Sequence, residues 1–129
     1  MQNSVFTMSM LGHPRDGSIK LYYFTVLSVT DADPRHLDLL GDSLALICDV
    51  STGEKSSIIL DCSALTHGAF RKMNLVRALA IDTPTGLDRL LIVTSSEFIR
   101  LMSNGIIALK KASGYAKVCL SMEEAFGEL

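Results

Sequence analysis

The segment Leu120-Ser121-Met122-Glu123-Glu124-Ala125-Phe126 closes a regular alternation of short apolar runs and helical stretches in the second half of this 129-residue chain. Parallel neighbouring strands need a crossover of about a dozen residues, and an amphipathic helix is the usual crossover. The alternation therefore predicts an α/β fold with a mixed, mainly parallel sheet. The order predicted for the whole chain is β-β-α-β-α-β-α-β-α, with five strands and four helices in a single domain, residues 1–129.

The strands and helices of this order are bounded by recognisable turn and cap residues. The predicted strands cover residues 4–11, 18–29, 56–61, 89–94 and 116–120. Between the first two, the turn residues 12–17 predict an N-terminal β-hairpin. Helices are predicted from Asp33-Pro34, from Phe70, from Ser95 or Ser96, and from Ser121, which forms a capping box with Glu124.

The third predicted helix carries two features that bear on assembly. Met102, Ile106 and Leu109 recur at helical spacing, and a stripe of this kind faces the core more often than it faces a second subunit. Gly105 lies inside the same helix, where glycine costs about 1 kcal/mol relative to alanine. We expect close packing on a neighbouring element to offset that cost. The apolar content of 48% also leaves a symmetric homodimer as an expectation.

Composition excludes several classes of function. With 12 basic and 14 acidic residues the net charge is −2, and no basic stripe could follow a nucleic acid backbone. No stretch resembles a signal peptide or provides about 18 consecutive apolar residues for a membrane span, so a cytoplasmic protein is expected. Cys48, Cys62 and Cys119 lie in apolar elements and are predicted to be buried free thiols. No cofactor is expected, because the glycines form no phosphate-binding motif.

The loop that follows the third strand is the main candidate site. The carboxyl ends of parallel strands are where open α/β sheets bind ligands, and Asp61, Ser63 and His67 follow one such strand. This trio suggests a hydrolase. A nucleophilic serine, however, needs a base within hydrogen-bond reach, and no Gly-x-Ser-x-Gly elbow surrounds Ser63. A metal site is not expected, because His13, His36 and His67 are scattered without companion ligands.

Three segments resemble the STAS-like family, which groups anti-sigma-factor antagonist domains with small SpoIIAA-like proteins. They are Thr30-Asp31-Ala32-Asp33 at a helix start, Ile58-Ile59-Leu60-Asp61-Cys62-Ser63-Ala64-Leu65, and Val118-Cys119-Leu120-Ser121-Met122-Glu123-Glu124-Ala125. The resemblance spans nearly the whole chain. It implies a sheet of four or five strands with helices packed mainly on one face, and a role in protein-protein regulation or ligand sensing rather than catalysis.

The chain departs from the family at the regulatory turn. Antagonist-type members carry a phosphorylatable serine there, whereas this chain has Thr66-His67-Gly68-Ala69-Phe70-Arg71. Phosphorylation acts by adding a charge of about −1.5 to −2 beside helix amides, and Ala69 and Phe70 cannot carry a phosphate. The resemblance is therefore to the SpoIIAA-like branch, with control by partner concentration or ligand.

The sequence thus predicts a non-catalytic regulatory or protein-interaction module of STAS-like type, with contacts to a protein partner or small ligand at residues 62–68. The alternative is a small-molecule-binding domain or minor hydrolase that uses Ser63 and His67. The candidate contact residues are Asp61, Ser63, Thr66, His67, Gly68, Ser95 and Ser96.

Overall fold

The sheet is mixed and has five strands, as the alternation predicted. In a computed structural model that describes residues 5–27, 34–48, 55–65, 87–109 and 111–129, the strands lie in the order β1-β2-β3-β4-β5. They are β1 (Phe6–Leu11), β2 (Lys20–Val26), β3 (Ser56–Asp61), β4 (Leu87–Val93) and β5 (Ala116–Cys119). β1 is antiparallel to β2, which confirms the predicted hairpin, and β2 to β5 are parallel.

Three of the four predicted helices lie within the described residues. They are α1 (Pro34–Cys48), α2 (Glu97–Leu109) and α3 (Met122–Glu128). The fourth, predicted to start at Phe70, falls in residues 66–86, outside the described part of the chain. Strand β2 is shorter than the predicted strand 18–29: it runs from Lys20 to Val26 and Leu27 is exposed, while residues 28–29 lie outside the described part of the chain.

The central strands are buried on both sides, as their apolar runs predict. In β3 and β4, Ile58 to Leu60 pair in register with Leu90 to Ile92, and all six side chains are buried. One face of the sheet carries the larger core, which includes Phe6, Phe24, Ile58, Leu60 and Ile92 with Leu40 and Leu44 of α1 and Ile99 and Ile107 of α2. The smaller core on the other face joins Leu21, Ile59, Leu91, Val93 and Cys119 to Ala125 of α3. Helices thus cover both faces, with two of the three described helices on one of them.

Helix α3 is fixed at both of its ends. Ser121 is the N-cap, and its hydroxyl accepts a 3.1 Å hydrogen bond from the Glu124 amide. The Glu124 carboxylate accepts from the Leu120 amide at 3.0 Å, one residue earlier than in the standard capping box. At the other end, the Glu128 carboxylate forms ion pairs with Arg89 of β4, at 2.9 Å, and with Lys117 of β5. The hydrogen bond from Lys117 lowers the pKa of Glu128, and the positive charges of Lys117 and Arg89 lower it further.

The end of α2 has a geometry that the sequence did not predict. The amides of Lys111 and Ala112 donate to the carbonyls of Ala108 and Ile107 at 3.2 and 2.9 Å, which is the Schellman pattern. The residue in the left-handed conformation is Lys111, with φ of 53°. Glycine usually occupies that position because it has no Cβ. The chain has glycine only three residues later, at Gly114.

Candidate functional site

The candidate site lies at the carboxyl edge of the parallel strands. The register places Thr25 of β2, Asp61 of β3, Val93 of β4 and Cys119 of β5 in one row across the sheet. The loops that follow β3 and β4 therefore start side by side. This is the position in an open α/β sheet where polar loop groups converge.

Asp61 is the centre of the described polar contacts at this edge. One carboxylate oxygen, Oδ2, accepts a 2.8 Å hydrogen bond from the Tyr23 hydroxyl of β2. The other, Oδ1, accepts from the Ser63 amide at 3.0 Å and from the Ser63 hydroxyl. An aspartate that bonds the backbone two residues ahead forms an Asx turn, which fixes the first residues of the loop. Tyr23, Asp61 and Ser63 thus form a single hydrogen-bonded unit, called here the Tyr23–Asp61–Ser63 cluster.

The tyrosine in this cluster acts as a hydrogen-bond donor. Partial burial raises the pKa of Tyr23 above its ordinary value of 10.0, and the hydrogen bond and negative charge of Asp61 raise it further. A hydrogen bond with Thr25 acts in the opposite direction. The phenol therefore stays protonated at neutral pH. Sequence reasoning placed Tyr23 on the same face as Leu21 and Thr25 but did not connect it with Asp61, because the connection depends on the register between β2 and β3.

The neighbouring thiol is not a nucleophile. Cys62 is buried in the larger core, on the face opposite the Asp61 carboxylate, and its amide donates to the Val93 carbonyl at 2.8 Å. Burial, assisted by the charge of Asp61, raises the pKa of Cys62 to about 12. Since the thiolate is the reactive form, this cysteine is inert near neutral pH. Cys62 and Cys119 are both buried and free, as predicted, while the side chain of Cys48 lies outside the described set.

The second loop uses its hydroxyl groups to start helix α2. The Thr94 hydroxyl accepts from the Ser96 amide at 3.1 Å, and the Ser96 hydroxyl accepts from the Ile99 amide at 3.3 Å. Ser96 is therefore the cap of α2, which decides between the two predicted serines, and Ser95 is exposed. In the described part of the chain, no hydrogen bond joins either serine to Asp61 or Ser63.

The structure brings together only part of the predicted site. Asp61 and Ser63 are in contact, and Ser95 and Ser96 begin the adjacent loop. Thr66, His67 and Gly68 lie outside the described residues. Of the three residues in the hydrolase interpretation, the structure therefore describes Asp61 and Ser63 but not His67. Both oxygens of Asp61 already accept hydrogen bonds from Tyr23 and Ser63. These hydrogen bonds give Asp61 a structural role, because they fix the turn that follows β3.

A concave region also exists at the opposite edge of the sheet. It has a volume of about 750 Å³ and is lined by residues 16–20 together with Lys55 and Asp88. Asp16 bonds the amide and hydroxyl of Ser18 at 2.9 and 2.6 Å, and these bonds lower the pKa of Asp16. Two acidic and two basic residues line this depression, Asp16 and Asp88 with Lys20 and Lys55, so it carries no single sign of charge that would select a ligand.

The described ranges contain neither a cluster of metal ligands nor a helix that could span a membrane. Within them, no three His, Cys, Asp or Glu side chains are grouped so that they could hold a metal ion. Among the helices described, none has the length and apolar content needed to cross a membrane.

No family model, no curated protein and no solved structure matches the chain. The STAS-like resemblance therefore rests on the residues quoted above and stays a prediction.

Proposed function

We propose that this chain is a non-catalytic regulatory or protein-interaction module of STAS-like type, and that it contacts its partner at the carboxyl edge of the sheet. The described part of this edge consists of the Tyr23–Asp61–Ser63 cluster, Ser95 and Ser96, and residues 62–65, where the predicted contact segment 62–68 begins. This arrangement supports the binding of a partner better than it supports catalysis.

The observation that carries the proposal is the pairing of fixed polar groups with exposed leucines at one edge. Leu27 follows β2 and Leu120 follows β5, and these side chains are 41% and 60% exposed. Between the ends of those strands lie Asp61, whose hydrogen bonds hold the turn, and the exposed Ser63. Protein interfaces combine apolar anchors with a polar rim, and an ordered surface loses less entropy on binding.

The same contacts speak against nucleophilic chemistry at Ser63. Its hydroxyl is bonded to Asp61, two residues away, within a local turn. A serine nucleophile is normally activated by a base that is itself oriented by a third group. Here the Asp61 carboxylate accepts from the Ser63 hydroxyl but is also engaged by the Ser63 amide and by Tyr23 in holding the turn, and no histidine of the described residues is bonded to Ser63.

An esterase assay on the purified chain separates the module from the minor hydrolase. Hydrolysis of activated esters is measured for the wild type, Ser63→Ala and His67→Ala. The proposal expects any hydrolysis to be slow and the same in all three proteins. A rate that falls by about two orders of magnitude or more in both variants would support the hydrolase instead.

The interaction itself is tested by quantitative affinity capture from the source cells. Wild-type bait is compared with Ser63→Arg and Leu120→Arg, and Leu46→Arg on α1 is the control, since Leu46 is 75% exposed and lies on a helix. We expect the same protein to be retained by the wild type and the control, and to be lost with both edge variants. Equal retention by all four baits would contradict the proposal.

A further inference from the structure

Helix α2 carries an apolar surface that is exposed in the described part of the structure. Ile99, Ser103 and Ile107 are its buried residues. Leu101, Met102 and Leu109 are 60%, 39% and 78% exposed, and Gly105 and Ala108 are exposed as well. At about 100° per residue, these five residues lie within about 120° of one another, on the side of the helix opposite the buried residues. They are called here the outer stripe of α2.

The sequence-based expectation for this helix was wrong in part. Met102 and Leu109 were predicted to face the core with Ile106, but only Ile106 packs against it. Gly105 was predicted to be packed closely against a neighbouring element. In the described structure, a Cβ atom added to Gly105 would have no neighbour within 4 Å beyond the helix's own backbone. Within the described residues, no close packing therefore offsets the cost of this mid-helix glycine.

From this surface we infer that the outer stripe of α2 pairs with the same stripe of a second copy of the chain, antiparallel and centred on Gly105. This inference does not depend on the proposed function, because α2 is a different surface from the carboxyl-edge cluster.

The stripe is complementary to itself in shape. In a twofold antiparallel pair, the residues four positions before and after the central residue face each other across the axis. Leu101 of one copy then packs against Leu109 of the other, about 6 Å from the centre on each side. These are the two most exposed large apolar side chains of the helix. Gly105 meets Gly105 at the crossing, where the absence of a Cβ atom lets the backbones approach closely.

The stripe is also complementary to itself in charge. It contains no charged residue, but Glu97 stands at the beginning of α2 and Lys111 follows its end. The Glu97 side chain is 79% exposed, with only a 3.5 Å contact to Arg100. Antiparallel pairing brings each Glu97 near the Lys111 of the second copy, and the two helix dipoles also oppose each other. A parallel arrangement would place like charges together instead.

The first test is the dependence of mass on concentration for the full chain, measured by sedimentation velocity. The inference predicts that the mean mass rises from 14.0 kDa toward twice that value through the micromolar range. A mass that stays at 14.0 kDa at the highest concentration would overturn it.

The second test places the contact on the outer stripe. Leu101→Glu and Gly105→Leu should each raise the dimer dissociation constant about tenfold or more. Leu46→Glu on α1 is the matched control and should leave it unchanged. Gly105→Leu fills open space in the single chain and improves helix propensity, so thermal unfolding at low concentration should show that this variant is folded. Unchanged dimerisation in both stripe variants would overturn the inference.

The third test uses charge reversal and does not disturb the core. Glu97→Lys and Lys111→Glu should each weaken the dimer, and the double variant should restore it to within about twofold of wild type, since opposite charges again face each other. A double variant that is as weak as the sum of the two single changes would overturn the antiparallel arrangement.

Discussion

The Tyr23 hydroxyl donates a 2.8 Å hydrogen bond to the Asp61 carboxylate, across two neighbouring parallel strands. The contact is diagonal, because in register Tyr23 pairs with Ile59 and Asp61 pairs with Thr25. It joins β2 to the turn that opens the candidate recognition loop.

Removing this hydroxyl should destabilise the protein measurably. A hydrogen bond to a charged group contributes about 1.5–3 kcal/mol, so Tyr23→Phe should lower the free energy of unfolding by about 1.5 kcal/mol or more. Tyr22→Phe is the control, since that side chain packs against the opposite core. Urea denaturation measures the free energy of unfolding of both variants. An effect of Tyr23→Phe no larger than that of Tyr22→Phe would show that the bond contributes nothing.

The left-handed residue at the end of α2 offers a stabilising change. Lys111 has φ of 53°, a conformation that costs an L-amino acid about 1 kcal/mol relative to glycine. Lys111→Gly should therefore raise the free energy of unfolding by about that amount. Ser113→Gly, two residues along, is the control and should bring no gain. Thermal unfolding in the monomeric concentration range gives the answer, and a loss of stability in Lys111→Gly would mean that the turn is built differently.

The two adjacent serines before α2 should differ sharply. The Ser96 hydroxyl accepts from the Ile99 amide, whereas Ser95 is exposed. Loss of an N-cap costs about 1 kcal/mol, while most exposed substitutions stay within about 0.5 kcal/mol. Ser96→Ala should therefore be the more destabilising by chemical denaturation. A larger loss of stability on substitution of Ser95 than of Ser96 would identify Ser95 as the cap.

Stability should fall in alkaline solution, in part because of Cys62. Its pKa is raised to about 12 in the fold, whereas an unfolded thiol ionises near 8.5. The unfolded state therefore releases its proton first as the pH rises. The contribution of Cys62 is complete below about pH 8.5 and is lost progressively between there and about pH 12. Urea denaturation on either side of pH 9 should show a shallower decline for Cys62→Ala than for wild type, and equal slopes would contradict the assignment.

The sequence predicted those features that depend on local chemistry. The Ser121 cap, the start of α1 at Pro34 and the parallel β3–β4 pair depend on neighbouring residues and on the alternation of elements, and all three are found. The sheet is mixed and has five strands, while the STAS-like family and the predicted helix at residues 70–80 stay predictions.

Features set by contacts between distant residues were not predictable in the same way. Helix α2 is apolar around most of its circumference, so its periodicity could not tell whether Met102 or Ser103 faces the core. In the folded chain Ser103 is the residue that faces the core, and it is fully buried, whereas Met102 is exposed. The bond from Tyr23 to Asp61 likewise depends on the register between β2 and β3, because the two residues are 38 positions apart in the sequence.

The proposal that the carboxyl edge is a recognition surface is tested most directly by site-specific photocrosslinking in the source cells. A photoreactive amino acid is placed at Ser63, at Ser95 and, as controls on other surfaces, at Leu46 and Lys55. The account predicts that positions 63 and 95 capture the same partner protein and that positions 46 and 55 do not. Capture of that partner from the control positions, with none from 63 or 95, would contradict it.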